Sequence, residues 1–272
     1  MAKRDYENEY SQQSFSLEVS YILDLVKLVK EQEVFTNKDL AQTMGIGEPK
    51  ITCFIQYAKI IDLLDDKRSI TNFGRKILNM EYSYDYLYSL LYYKLVRGSN
   101  NGAHLYFSKI VNEILYDISF QLNNQISLQD LKIEMLDHNI RNIDENDHYN
   151  YTRQAINTLS NPNTGFGKLG MVKKVEDNYE IYSYWPEPLI CAYIIYDRWE
   201  EGSVAMKIDD IIRGHYNFGR IFFLDEETVM GILEDLQQME YISIETIAGL
   251  NQIRINPKKS KDDILEAIVD EA

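Results

Sequence analysis

Basic side chains are scarce in this chain. Only 28 Lys and Arg stand against 43 Asp and Glu, for a formal net charge of −15. Coating nucleic acid over a broad surface needs clustered cations, so this balance excludes a general nucleic-acid coat. Cysteine is nearly absent too: Cys53 and Cys191 are far apart and share no metal-ligand spacing, so two buried thiols are expected rather than a zinc site or disulfide framework. No apolar run approaches the roughly 20 residues that cross a bilayer, and the polar start, Met-Ala-Lys-Arg-Asp-Tyr-Glu, lacks a signal-peptide core. The expectation is a cytoplasmic protein with no membrane partner. Ser-His-Asp, Cys-His and P-loop arrangements are missing as well, so no catalytic residue, metal ligand or cofactor site is assigned and the chain is not expected to be an enzyme.

What is present is a soluble composition, 45% hydrophobic and 26% charged over 272 residues, enough for one large domain or several small ones. The acidity is unevenly spread. Residues 1–80 hold 11 basic and 12 acidic side chains, whereas residues 81–272 hold 17 and 31. A near-neutral opening segment could therefore meet DNA while the acidic remainder meets water or protein.

That opening segment, Phe35 to Leu78, reads as a winged helix-turn-helix. Thr36 with Asp39 forms a capping-box variant ahead of Leu40, Ala41 and Met44, and Gly45-Ile46-Gly47 breaks the helix. A second helix opens at Glu48-Pro49 and carries Ile51, Phe54, Ile55, Ala58 and Ile61 at helical spacing. Leu63-Leu64, the tip Asp65-Asp66-Lys67-Arg68 and Ile70 then predict strand, turn and strand. A preceding amphipathic helix through Leu17, Tyr21, Ile22, Leu25 and Val29 completes the module.

In such a module the second helix faces the major groove. The spacing puts Lys50, Thr52, Gln56, Tyr57 and Lys59 on its exposed side, where Lys suits phosphate or guanine, Gln suits adenine and hydroxyls suit phosphate oxygens. Lys67 and Arg68 at the wing tip would reach an adjacent backbone. The partner expected on this reading is double-stranded DNA.

Further along, MEYSYDYLYSLLYYKLV holds six of the 21 tyrosines; Leu87, Leu90, Leu91 and Leu95 favour a helix from about Asp85. The row could stack on bases, but no basic residue is interleaved before Lys94, which favours aromatic core packing. Gly98 to Gly102 reads as a linker. Residues 123–205 repeat the order of the first module, ending in the hairpin Met171–Val175 and Tyr179–Tyr182 around Glu176-Asp177-Asn178. Within it, Gly165-Phe166-Gly167-Lys168-Leu169-Gly170 matches G-x-G-x-x-G without the strand and crossover helix that a dinucleotide site requires, and reads as a loop before a wing. Lys168, Lys173 and Lys174 make this the second basic patch, and together with Arg153 it could lie along a phosphate backbone. The acidic stretch from Asp137 to His148 fits neither an EF-hand nor H-E-x-x-H, and reads as a solvated loop. Residues 206–272 predict a helix, a hairpin around Ala248-Gly249 and a terminal helix.

The expected fold is thus α+β and mainly helical: a winged helix-turn-helix over 1–80, a helical bridge over 81–122, a second winged-helix-like unit over 123–205 and a C-terminal helix-hairpin domain over 206–272.

Four segments together resemble a bacterial family of uncharacterised function whose genes commonly lie beside phosphorothioate DNA-modification and phage-defence genes. They are FTNKDLAQTMGIGEPKI, SITNFGRKIL, YLYSLLYYKLV with GSNNGAHLYF, and NFGRIFFLDEETVMGILEDLQQMEYI. The resemblance runs from about Phe15 to Ile255. It implies an accessory or DNA-recognition role near a DNA-modifying complex and brings no catalytic residues. The alternative is an acidic protein-interaction adaptor that holds partner enzymes without touching DNA.

Overall fold

The computed structural model of the chain describes residues 15–31, 36–80, 84–98, 105–137, 145–246 and 251–272. The residues before Phe15, most of the Gly98–Gly102 linker, residues 138–144 of the acidic loop and the Ala248-Gly249 turn lie outside these. Contacts group the chain into two compact units. Residues 1–79 and 94–182 make the first; residues 80–93 and 183–272 make the second. The fold is mainly helical with small antiparallel sheets.

The first unit begins with α1 (Val19–Glu31), α2 (Asn37–Met44) and α3 (Glu48–Ile60). The Thr36 hydroxyl accepts from the Asp39 amide while the Asp39 carboxylate takes the Thr36 amide, so the predicted capping box starts α2, and Gly45 ends it at φ 67°. The predicted wing is smaller than expected. Strand pairing is reduced to one antiparallel bridge, Leu64 to Ile70. The reason is local: Leu63 and Leu64 still bond back to the Ala58 carbonyl of α3, and Thr71 already caps α4 (Asn72–Ile77), leaving no residues for a longer ladder. Gly74 is forced by close approach, because a Cβ there would sit 2.4 Å from the Leu63 carbonyl oxygen.

Helix α5 (Tyr84–Arg97) supplies residues to both units. The first unit resumes with α6 (Leu105–Lys109), a π-helical stretch Ile110–Leu115 and α7 (Tyr116–Ser119). Then come β1 (Gln125–Ser127), α8 (Leu128–Asp137), α9 (Glu145–Ser160), a 3₁₀ turn at Phe166–Leu169, and the hairpin β2 (Val172–Val175) and β3 (Asn178–Ile181). The sheet order is β1-β3-β2, with Ile126 opposite Tyr179 and Lys174 opposite Tyr179 on the other side. The N-terminal segment is tied onto α9 and the turn after it: the Ser16 hydroxyl donates to Gln154 Oε1 at 2.6 Å, the Leu17 amide to Thr158 Oγ1 at 3.0 Å and the Val19 amide to the Thr164 carbonyl at 2.8 Å. Tyr57 packs edge-on against Phe107, centroids 6.3 Å apart.

The second unit repeats the same order with other residues. Helix α10 (Pro188–Arg198) precedes β4 (Met206–Lys207), α11 (Ile208–Arg213), α12 (Phe218–Ile221), α13 (Glu226–Gln238), the hairpin β5 (Ile242–Glu245) and β6 (Gln252–Ile255), and α14 (Lys261–Glu271). The sheet order is β4-β6-β5. The tyrosine-rich stretch serves as core here. Tyr92 and Tyr93 are buried; the Tyr92 hydroxyl donates to the Ile221 carbonyl at 2.9 Å, and that of Tyr93 to Asp197 at 2.6 Å. Such buried phenols bring large apolar area and each needs its hydroxyl partnered.

Candidate nucleic-acid interface

Helix α3, the element expected to face a groove, is covered on most of its circumference. Ile51, Cys53, Phe54, Ile55, Tyr57, Ala58 and Ile60 are all buried. The exposed placement expected for Tyr57 is corrected: the ring is 1% exposed and its hydroxyl donates to the Phe15 carbonyl at 3.0 Å. Desolvation holds the Tyr57 phenol well above the ordinary tyrosine range. Lys50 is corrected in part, since its ammonium pairs with Glu18 at 2.6 Å and lies over the Tyr21 and Phe54 rings at 5.2 and 5.3 Å, joining α1 to α3 instead of pointing outward. The reason is the N-terminal segment: its docking covers the side of α3 that a bare three-helix module would leave open.

A narrow polar strip remains, and most of the other predicted residues of the module lie along it. Asn37, at the start of α2, donates from Nδ2 to Thr52 Oγ1 at 2.9 Å and accepts at Oδ1 from the Arg68 guanidinium at 2.8 Å. Thr52 in turn donates to the Glu48 carbonyl. Lys59 donates to the Asp66 carbonyl at 3.0 Å, which ties the tip to the end of α3. Lys67 projects from that tip, exposed and without an ion pair among the described residues. Gln56, half-buried, lies one turn beyond Thr52 on the same strip. Arg68 holds φ at 66°, a left-handed value set by the tight turn in which its amide bonds the Asp65 carbonyl. The strip is not strongly positive, because Glu48, Asp65 and Asp66 accompany Lys59, Lys67 and Arg68.

The second predicted patch is exposed but dispersed. Lys173 leans over the Tyr182 ring at 4.7 Å and Lys174 follows it on β2. Arg153 lies exposed on α9, and Lys168 on the 3₁₀ turn. The two glycines flanking Phe166 have a packing cause: a Cβ on Gly165 would come within 2.1 Å of the Thr158 carbonyl oxygen, and one on Gly167 within 2.4 Å of that of Ser160. The match to a phosphate-binding motif is therefore a signature of a turn pressed against the backbone of α9.

A family model described as a protein of unknown function, DUF4007, matches residues 11–269. The chain belongs to the DUF4007 family. The span agrees with the near full-length family resemblance read from the sequence, and the family is one of unknown function. No curated protein matches the chain. Among solved structures, the DUF4007 chain is similar to the SspB crystal structure, with a TM-score of 0.69 at 14% identity, covering 96% of this chain and 86% of that one. It is likewise similar to a magnesium ion-bound SspB crystal structure, with a TM-score of 0.68 at 13% identity and the same coverage. At such identities the likeness is one of fold.

Asn37 is the residue of the DUF4007 strip that sequence reasoning missed. Its position after a Thr cap was visible, but its bonds to partners 15 and 31 residues away were not. The first unit also carries a cleft of about 520 Å³ beside β1 and the π-helical stretch, lined by Glu113, Asp117, Asp130 and Glu134 with no basic residue. This surface repels phosphate. Among the described residues no group of His, Cys, Asp and Glu has the arrangement of a metal site, and no helix is long and apolar enough to cross a membrane.

Proposed function

We propose that the protein is a DNA-binding accessory protein of a bacterial phosphorothioate DNA-modification or phage-defence system, without a catalytic step of its own. The observation that carries this is the Arg68–Asn37–Thr52 network with Lys59 and Lys67 beside it: five polar side chains, from three separate segments, held along one edge of the first module. The element order supports it. A helix, a strand, further helices and a hairpin whose last strand is central follow one another over 105–181 and again over 188–255, an order consistent with a winged helix, and in the first module the hairpin is reduced to one bridge. The family resemblance supplies the cellular setting. With so few cations, binding is of modest affinity unless the 168–174 patch or a partner adds contacts.

The test is a salt titration of binding to duplexes with and without phosphorothioate linkages. Lys67→Glu with Arg68→Glu removes two phosphate contacts, so the slope of log K against log salt falls by about 2 and affinity drops roughly tenfold or more. Unchanged affinity and slope would overturn the assignment. Nicking of supercoiled plasmid in the presence of magnesium would overturn the non-catalytic part.

The acidic cleft favours a second reading, an adaptor that engages a basic surface of a partner enzyme. Under it, Asp130→Lys with Glu134→Lys abolishes co-purification with proteins encoded nearby, while DNA affinity is absent in every variant.

A further inference from the structure

The second unit contains a cleft of about 430 Å³ at the end of α10, formed with β4 and the loop between α11 and α12. Its volume is in the range of roughly 300–1,000 Å³ usual for small-molecule sites. The lining is unlike the acidic cleft of the first unit. Arg198, Lys207 and His215 bring positive or titratable groups, and Trp199 and Tyr216 bring aromatic surface.

The loop is built with some strain. Gly214 presses so closely on α11 that a Cβ would lie 2.3 Å from the Asp210 carbonyl oxygen. Tyr216 adopts φ 67°, a costly region for an aromatic residue, and the Arg198 guanidinium lies 5.5 Å from its ring centroid. Trp199 is fixed by its indole N–H, which donates to the Ser203 carbonyl at 3.1 Å.

Two residues lining the cleft each have a buried polar atom with no hydrogen bond within the protein: Arg198 at Nε, a donor, and Asn217 at Oδ1, an acceptor. The orientation of the Asn217 amide is set by chemistry, because Nδ2 donates to the Asp210 carbonyl at 2.6 Å and an oxygen there would face an oxygen. Orphaned buried polar groups are rare and costly, and here a donor and an acceptor belong to residues lining one cleft.

We propose that this cleft binds a mononucleotide unit. The single phosphate sits against the Arg198 guanidinium and the Lys207 ammonium; the base packs against the Trp199 and Tyr216 rings. Glu200 and Asp210 also line the cleft, and they accept from base amino groups or sugar hydroxyls. These two carboxylates offset the two permanent cations, so one phosphate is favoured over a triphosphate. The unit can come from a free nucleotide or from the 5′-phosphorylated end of a strand.

The experiment uses the full chain carrying Trp185→Phe, which leaves Trp199 as the sole fluorescent tryptophan. Probes are adenosine 5′-monophosphate, adenosine, adenosine triphosphate, inorganic phosphate, and an eight-nucleotide strand with and without a 5′-phosphate. The monophosphate is expected to change Trp199 emission saturably and to bind at least about tenfold more tightly than adenosine or the triphosphate. Arg198→Gln and Lys207→Gln should each weaken binding; Tyr216→Asn, a residue that tolerates the left-handed backbone, should weaken it with the fold retained by circular dichroism. A strand that binds only when phosphorylated, with no response to the free nucleotide, assigns the site to DNA ends. Absence of saturation by every probe up to about 1 mM, or unchanged affinity in both Lys207→Gln and Tyr216→Asn, overturns the proposal. Lys67→Glu with Arg68→Glu leaves this binding intact, so the result is separable from that on duplex DNA.

Discussion

Buried thiol and phenol groups give individual residues a shared pH dependence. Burial pushes the Cys53 thiol from its ordinary 9.0 up to about 12, and desolvation does the same to the Tyr184 phenol, from 10.0 to about 12. Tyr57, Tyr92 and Cys191 are raised as well by burial. In the unfolded chain these groups ionise from about pH 9, while in the folded chain they keep their protons. Their contribution is therefore complete below pH 9 and is lost as pH rises toward 12. Urea midpoints should be level from pH 7 to 8.5 and fall steadily by pH 10.5, with a smaller fall in Cys53→Ala. A flat profile to pH 11 would contradict this. Residue burial of this kind was only partly legible. The periodicity of Ile51, Phe54, Ile55 and Ala58 marked the inner face of α3, but Tyr57 and Lys50 looked exposed because the segment that covers them, Phe15 to Glu18, reaches α3 and α9 through tertiary contacts that no local pattern encodes.

Among elements, the 3₁₀ turn at Phe166–Leu169 shows how a sequence motif can have a packing cause. Gly165→Ala would drive a methyl group into the Thr158 carbonyl and should cost about 1–3 kcal/mol by urea unfolding, whereas Gly231→Ala, inside α13 with no atom within 4 Å of the new methyl, should stabilise by about 0.5–1 kcal/mol. Equal stability of the two variants would remove the packing account. Helices were the most legible elements, since capping boxes and apolar faces are local properties; Thr36 starts its helix where the sequence placed it. Short strands were least legible. The hairpin β2–β3 was marked by alternation and a turn, but β4 is two residues long, and β1 is three residues defined only by their pairing with β3. The wing of the first module failed in the opposite sense, predicted as a hairpin but cut to one bridge by the cap of the next helix.

At the scale of the whole molecule, the second unit is assembled from two stretches of chain, 80–93 and 183–272. The earlier stretch brings buried Leu90, Leu91, Tyr92 and Tyr93, with Tyr92 packed on Phe222 at 5.7 Å and the Tyr86 hydroxyl donating to Glu271 at 2.8 Å. A fragment of residues 183–272 should accordingly lose near-UV circular dichroism and bind hydrophobic dyes, and fusing residues 84–93 to it through a flexible linker should restore a cooperative thermal transition. Cooperative unfolding of 183–272 alone would show that α5 is dispensable to that core.

The tyrosines of α5 also impose a schedule on synthesis. The first ten residues of that helix are synthesised ahead of residues 183–272, which carry the surfaces they pack against. At usual elongation rates an aromatic, apolar segment waits on the order of 10–30 s for its core. During that interval its apolar side chains lack their core, so the cost of a discontinuous unit falls on the nascent chain.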